Sequence, residues 1–136
     1  MSTSFIFPYQ FEVIGNRRIP YPVVPVTLRT HFGKKSFSFF FDSGADLTSL
    51  PNYMLKRLSL GKKSLVQKYF QGAGKKPIKV WETKINIGIN DREFQIDCVF
   101  TDNDKTPFLL GKLGVFDHYN ICLDNDKNQT ILTSRH

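Results

Sequence analysis

Two neighbouring runs in which apolar and polar residues alternate strictly limit how this chain can fold. Residues 83–89 place one Thr and three Ile on one face, and residues 94–100 place Phe, Ile, Cys and Phe on one face. This two-residue period is that of a half-buried β-strand. Asn90 and Asp91, which lie between the runs, are typical of a tight turn. The sequence therefore predicts a β-hairpin within a mainly β fold.

Shorter runs extend this prediction over the rest of the chain. Further strands are predicted at residues 5–13, 24–29, 37–41, 121–123 and 130–132. The other predicted elements are short helices at residues 51–60 and 112–118 and a glycine-bearing hairpin at residues 71–74. Many short strands with few helices indicate a β-barrel or a β-sandwich. No linker or internal repeat divides the sequence, so we expect a single domain over residues 1–136.

The charge and the apolar content of the chain bear on its partners and its location. The net charge is +7, but the basic residues occur mostly as spaced pairs, which is typical of solvated loops. A basic barrel that binds nucleic acid remains a lesser alternative, since it requires aromatic and basic residues to alternate on one exposed face. The sequence shows no signal peptide and no apolar run long enough to span a membrane. A cytoplasmic location is the default expectation.

The residues that commonly bind metals form no convincing site. Residues 124–128 resemble the start of a calcium-binding loop, but Gln129 and Arg135 stand where that loop needs Gly and Glu. The three His residues lack metal-ligand spacing with the cysteines. Cys98 and Cys122 lie in apolar runs, so buried free thiols are expected, with a disulfide left open. We expect neither a metal nor an organic cofactor.

The segment FFFDSGAD at residues 39–46 is the most informative for function. An aromatic strand that runs directly into Asp42 must pair or hydrogen-bond this carboxylate, because burying it alone is costly. Gly44 permits a tight turn and the close approach of another chain, and Ser43 can hydrogen-bond across the loop. Taken alone, these three residues are better explained as an ordinary turn, because Asp-Ser-Gly is a common turn tripeptide.

A second segment, PFLLGKLG at residues 107–114, places Leu109 67 positions after Asp42. Together and in this order, the two segments resemble the retropepsins, the retrovirus-type aspartic proteases, and in particular their cellular and bacterial relatives. These proteins carry an apolar-apolar-Asp-Ser/Thr-Gly motif, then a flap hairpin, then an apolar-apolar-Gly segment. The resemblance covers about residues 24–132 and implies a closed acid-protease barrel that forms one half of a twofold dimer.

The resemblance implies a role for each matching residue of the first segment. Asp42 matches the catalytic aspartate, and Ser43 matches the hydroxyl residue that bonds across the dimer below the active site. Gly44 and Ala45 match the loop that lies along the substrate backbone. Asp46 matches an acidic residue that helps to hold the peptide.

The later residues also match positions of the family. Leu109 matches a substrate-pocket position, and Gly111 matches the glycine before the final helix. The family pairs Asp46 with an arginine that follows this glycine. Here Lys112 stands at that position, and lysine offers a point charge rather than a bidentate fork. The flap tip matches four residues: Gln71, Gly72, Ala73 and Gly74.

The stoichiometry implied by the resemblance sets the expected mechanism. Peptide hydrolysis of this kind needs two carboxylates that share one proton, and the chain contains one such loop. We therefore expect an aspartic endopeptidase in which a homodimer brings two copies of Asp42 together and cleaves a peptide or protein substrate. The chain ends, residues 1–7 and 130–136, are expected to join the protomers. The alternative is a dimeric peptide-binding or assembly module of the same fold with little catalysis.

Overall fold

The regular structure of the protein is almost entirely β, as a computed structural model of residues 3–71, 74 and 76–135 shows. The first six strands are β1 (Ser4–Pro8), β2 (Gln10–Ile14), β3 (Arg17–Tyr21), β4 (Val23–Thr30), β5 (Gly33–Phe41) and β6 (Thr48–Leu50). The remaining strands are β7 (Val66–Phe70), β8 (Ile78–Ile89), β9 (Arg92–Thr101), β10 (Leu109–Leu110), β11 (Tyr119–Asp124) and β12 (Gln129–Ser134). The helical segments of the described residues are α1 (Met54–Arg57) and a 3₁₀ turn at Lys62–Ser64.

Six of these strands close into a barrel, which confirms the predicted fold class. Their order is β4-β5-β10-β6-β9-β8, and β8 returns to β4 through the pairs Thr27–Gly88 and Leu28–Ile87. The hairpin of β8 and β9 predicted from the alternation is present, and β7 extends it beyond the barrel. The interior is apolar because the alternating side chains of these strands point inward.

Two parallel pairings bring distant parts of the sequence to one end of the barrel. β10 runs parallel to β5, with Leu109 beside Phe40 and Leu110 beside Phe41. β6 runs parallel to β9 and antiparallel to β10. The carboxyl ends of β5 and β10 therefore meet, and Asp42 and Gly111 follow them directly.

The start of the chain forms two strands where the sequence predicted one strand at residues 5–13. β1 pairs with β12 in a three-stranded sheet of order β1-β12-β11, whereas β2 pairs with β3 in a separate hairpin. The chain changes partner at Tyr9, whose amide donates to the Asn128 carbonyl at 2.8 Å. The Tyr9 ring is buried, and its hydroxyl donates to Asn125 Oδ1 at 2.8 Å. The buried Tyr9 ring anchors the chain where it passes from β1 to β2. A local alternation pattern does not reveal this change of strand partner.

The predicted helices are shorter than expected or absent. In residues 51–60 only α1 is helical, because Ser59 adopts a left-handed conformation with φ 58° and turns the chain back. The predicted helix at residues 112–118 is wrong, since this segment forms consecutive turns. Gly114 has φ 84°, which interrupts a right-handed helix, and its Cα lies against Ile96. Within the described ranges, no helix combines the length and apolar character needed to cross a membrane.

The two cysteines differ in environment, and both are free thiols. Cys98 is fully buried on the inner face of β9, and this burial raises the pKa of its thiol. Cys122 is exposed, because on β11 the neighbouring Ile121 takes the inner face. The prediction of a buried thiol is therefore correct for Cys98 and wrong for Cys122.

Candidate active site

The loop that contains Asp42 is fixed by its own backbone and by the end of β10. The Asp42 amide donates to the Leu110 carbonyl at 3.1 Å, which continues the parallel pairing of β5 and β10 by one residue. The Asp42 carbonyl accepts from the Ala45 amide at 3.1 Å. The carboxylate oxygen Oδ1 accepts from the Gly44 amide at 2.9 Å. Two backbone hydrogen bonds therefore fix the position of Asp42, and a third, from the Gly44 amide, orients its side chain.

The segment after β10 holds the other side of this loop. The Lys112 amide donates to the Ala45 carbonyl at 3.0 Å, and the Leu113 amide donates to the Asp46 carbonyl at 2.9 Å. These bonds join the two sequence segments through backbone atoms, so they do not depend on the side chain at position 112. The structure thus brings the two segments together in one compact unit.

Gly111 allows this close approach. A Cβ atom at this position would lie 2.6 Å from the Leu47 carbonyl oxygen and 2.9 Å from the Asp46 carbonyl oxygen. Both atoms belong to the backbone, so they cannot move aside as a flexible side chain would. Glycine is therefore required sterically where β10 meets the Asp42 loop.

Thr48 supports the same junction and did not stand out in the sequence. Its side chain is fully buried, and its hydroxyl accepts from the Gly111 amide at 3.1 Å. The signal available was a threonine at the start of a three-residue strand a few residues after Asp42. Many β-strands contain such a threonine, so the sequence alone does not identify this contact.

Asp46 and Lys112 form the contact that the resemblance led us to expect. Lys112 Nζ lies 3.1 Å from Asp46 Oδ1. The Asp46 side chain is 76% exposed and that of Lys112 36%, so water screens much of the attraction. The ion pair adds little to the backbone bonds that already connect these residues.

The exposure of the loop differs from one residue to the next. Asp42 and Ala45 are half-buried, whereas Ser43 and Gly44 are exposed in the single chain. Phe39 and Phe41 point into the core, so Phe40 lies on the opposite face of β5. Asp42 follows Phe40 by two residues and therefore continues the same face. Leu109, the predicted pocket residue, pairs with Phe40 and is half-buried.

The predicted flap corresponds to the hairpin of β7 and β8. The last registered pair before the hairpin tip is Phe70–Ile78. Gln71 is exposed, and Gly74 has φ 69°, a conformation that favours glycine. The other two predicted tip residues, Gly72 and Ala73, lie outside the described residues. All residues of β7 are exposed, so this strand lies outside the barrel core.

Asp124 and His118, which the sequence analysis considered as possible metal ligands, make structural contacts instead. Asp124 Oδ1 accepts from the amides of Asp126 and Lys127, both at 3.1 Å, which stabilises the turn between β11 and β12. His118 packs on Phe94, with ring centroids 4.1 Å apart. Across residues 3–71, 74 and 76–135, no three His, Cys, Asp or Glu side chains are grouped so that they could bind a metal ion.

Comparisons with known proteins agree with this geometry. A model of the family described as "gag-polyprotein putative aspartyl protease" matches residues 28–113, which include the first segment and all of the second except Gly114. The crystal structure of a retropepsin-like aspartic protease from Rickettsia conorii superposes with a TM-score of 0.70 at 18% sequence identity. The superposition covers 98% of this chain and 93% of that one, so the two share a fold. No curated protein matches the sequence significantly. The chain therefore belongs to the retropepsin-like, gag-type family of aspartyl proteases.

Proposed function

We propose that this protein is an aspartic endopeptidase whose active form is a homodimer. The observation that carries the proposal is the Asp42 loop, in which the carboxylate is oriented by the Gly44 amide and the backbone is joined to residues 110–113. Family membership supports the same assignment. A loop fixed in this way can present a carboxylate to a water molecule with little reorganisation.

The proposed dimer follows from the number of carboxylates that the reaction needs. Two carboxyl groups must share one proton, an arrangement for which aspartic proteases are themselves the established example. One chain supplies Asp42 once, so a second copy must supply the other carboxylate across a twofold axis. The exposure of Ser43 and Gly44 is consistent with a partner copy that covers this loop.

In the proposed reaction the substrate lies extended between the β7–β8 hairpin and the Asp42 loop. The ionised Asp42 takes a proton from water, whose oxygen attacks the carbonyl carbon of the peptide bond. The protonated Asp42 of the other copy gives its proton to the carbonyl oxygen. The tetrahedral intermediate then collapses and the C–N bond breaks. The leaving nitrogen receives a proton from the carboxyl that took one from water, and one hydroxyl of the intermediate returns its proton to the Asp42 of the other copy as the new carboxyl group forms. These steps need no metal and no organic cofactor.

A peptide-binding module with weak catalysis is the second candidate, and the Asp46–Lys112 pair favours it. An exposed pair formed by a lysine holds the loop less rigidly than a bidentate arginine would. In this candidate the dimer and the peptide cleft remain, whereas hydrolysis is slow.

The deciding experiment compares the wild type with Asp42→Asn on a mixed peptide library between about pH 4 and about pH 7. We expect the substitution to reduce cleavage by about a thousandfold or more, with the solution mass of a dimer in both proteins. Asp126→Asn, which alters an exposed turn, is the matched control and should retain activity. Stable dimers that bind peptides without cleaving them would favour the binding module. A strictly monomeric protein at high concentration would contradict the proposed mechanism.

A further inference from the structure

The turn between β4 and β5 holds an aromatic side chain out in the solvent. This side chain is Phe32, which is 78% exposed. The Thr30 hydroxyl accepts from the Phe32 amide at 3.1 Å and donates to the Gly33 carbonyl at 2.7 Å. The His31 amide donates to the Arg57 carbonyl at 3.0 Å, and His31 Nδ1 lies 3.1 Å from the same oxygen. The turn is therefore tied to itself and to the end of α1, and Phe32 protrudes from a hydrogen-bonded support.

The contact between this turn and α1 brings together basic residues that are distant in the sequence. Residues 29–35 contain three Lys or Arg, residues 56–63 contain four, and neither segment contains Asp or Glu. The 12 remaining Lys and Arg of the chain equal its 12 Asp and Glu in number, so these two segments account for the whole net charge of +7. All seven basic residues are exposed. We call the two segments together the Phe32 patch.

The neighbouring carboxylates leave most of the charge of the Phe32 patch unpaired. Lys34 pairs with Glu93 at 2.6 Å, and the charge of Arg29 also acts on this carboxyl. Lys62 pairs with Asp102 at 3.4 Å. In the part of the chain that the structure describes, the other four basic side chains form no salt bridge: Lys35, Lys56, Arg57 and Lys63. The patch therefore combines unpaired positive charge with an exposed aromatic ring.

The Phe32 tip lies far from the proposed active site. Strand β5 begins at Gly33, directly after Phe32, and ends at Phe41, directly before Asp42. Its nine residues span about 30 Å. A partner that contacts Phe32 therefore leaves the Asp42 loop uncovered.

We propose that the Phe32 patch docks the protein on an anionic lipid surface, with Phe32 inserted among the lipid headgroups. An exposed aromatic ring gains by leaving water for the boundary between headgroups and acyl chains. Lys and Arg residues beside it attract anionic lipids, and each contributes roughly fivefold to the affinity for such a surface. Apolar insertion and charge attraction therefore act together, as in proteins that lie on a membrane without crossing it.

The shape of the Phe32 patch favours a lipid surface over a nucleic acid. Proteins that bind single-stranded nucleic acid do so in a basic groove where aromatic rings stack on successive bases. Phe32 instead stands at the apex of a hairpin turn, where the ring of His31 packs beside it with centroids 4.1 Å apart. A single protruding apolar side chain with positive charges behind it suits insertion into a surface.

Co-sedimentation of the full chain with lipid vesicles tests the proposal. We expect binding to phosphatidylcholine vesicles that contain about one third phosphatidylserine, and binding weaker by about tenfold or more to phosphatidylcholine alone. Phe32→Ala should weaken binding to the anionic vesicles by about tenfold. The double variant Lys35→Gln with Lys56→Gln should weaken it by about 25-fold. Phe32→Trp should retain binding, and its emission should shift to shorter wavelength on the vesicles, because the native Trp81 is already buried.

The controls carry the same changes at exposed positions outside the Phe32 patch. Tyr69→Ala removes an aromatic side chain that is 65% exposed on β7. Lys105→Gln with Lys127→Gln lowers the net charge as much as the double variant of the patch, and both lysines are exposed. Both control proteins should bind the anionic vesicles as the wild type does.

Four outcomes would overturn the docking proposal. The wild type would not bind the anionic vesicles, the two double lysine variants would lose binding equally, Phe32→Ala would bind fully, or the emission of Phe32→Trp would not shift. A single-stranded oligonucleotide provides the competing probe. If the wild type binds it but not the vesicles, and Phe32→Ala weakens that binding, the patch is a nucleic-acid site instead.

Discussion

Gly111 is the residue where the fold leaves least freedom beside the proposed active site. Its Cα faces the backbone of Asp46 and Leu47, and its amide donates to Thr48 Oγ1. A side chain here would separate β10 from the Asp42 loop, together with the backbone bonds that Lys112 makes. The glycine is therefore needed for the stability of the junction as well as for the shape of the site.

Gly111→Ala should lower the free energy of unfolding by about 3 kcal/mol, the upper end of the cost of overpacking. Gly61→Ala is the matched control, because Gly61 has φ −103° and a Cβ atom added there would meet nothing within 4 Å. That substitution should change stability by less than about 1 kcal/mol. Urea denaturation followed by fluorescence of Trp81 measures both. Equal effects of the two substitutions would contradict the steric argument.

The Asp46–Lys112 ion pair should contribute little to stability. A double-mutant cycle of Asp46→Asn and Lys112→Gln should give a coupling energy below about 1 kcal/mol, because both side chains are partly exposed. The same cycle on Lys34 and Glu93, which are 50% and 65% exposed, provides a reference pair remote from the loop. A coupling well above that of the reference pair would show that the loop depends on this salt bridge.

The position of a single residue in the fold could be predicted from the sequence where a local motif determines it. Asp42 and Gly44 follow an aromatic strand, and this local context was enough to place them in one loop. Thr48 and Tyr9 were missed because their roles arise only from tertiary contacts, a buried bond to Gly111 and a contact with Asn125. Whether each matched residue performs its family role remains a prediction.

At the scale of elements, the seam between β4 and β8 closes the barrel through two registered backbone pairs. Its registered pairs are Thr27–Gly88 and Leu28–Ile87. The Leu28 side chain is almost fully buried at this seam. Closure therefore depends on apolar packing more than on a long ladder of backbone hydrogen bonds.

Leu28→Ala should lower the free energy of unfolding by about 2–5 kcal/mol, since it leaves a cavity in the core. Val13→Ala is the control, because Val13 on β2 is 71% exposed, and its effect should stay near 0.5 kcal/mol or less. Hydrogen exchange of the β4 and β8 amides reports on the seam itself. Unchanged protection in Leu28→Ala would show that the backbone ladder alone holds the barrel closed.

Elements were predictable where the side-chain period is long and regular, as in β8 and β9. The helix predicted at residues 112–118 failed because Gly114 packs against Ile96, a contact that the helical spacing of apolar residues does not reveal. The strand β7 was not delimited, since all its residues are exposed and no buried face creates a period. Short or exposed strands are defined by their partners rather than by their own sequence.

At the scale of the whole molecule, the proposed dimer makes stability depend on concentration. If the active form is a dimer of folded chains, raising the protein concentration should raise the midpoint of thermal unfolding. Sedimentation velocity over the same concentrations should show the mass change from one chain to two. A midpoint that does not vary, together with a constant single-chain mass, would contradict the dimer.

The parallel pairing of β5 with β10 also determines when the proposed enzyme can exist during synthesis. Asp42 leaves the ribosome well before residues 109–113, yet the backbone bonds that join its loop to the barrel at β10 come from that later segment. Contacts between such distant residues form late, because the intervening chain must first be brought together. A growing chain thus carries Asp42 without its support. If the protein is the proposed peptidase, we therefore expect it to cleave peptides only after the later segment has been translated and folded.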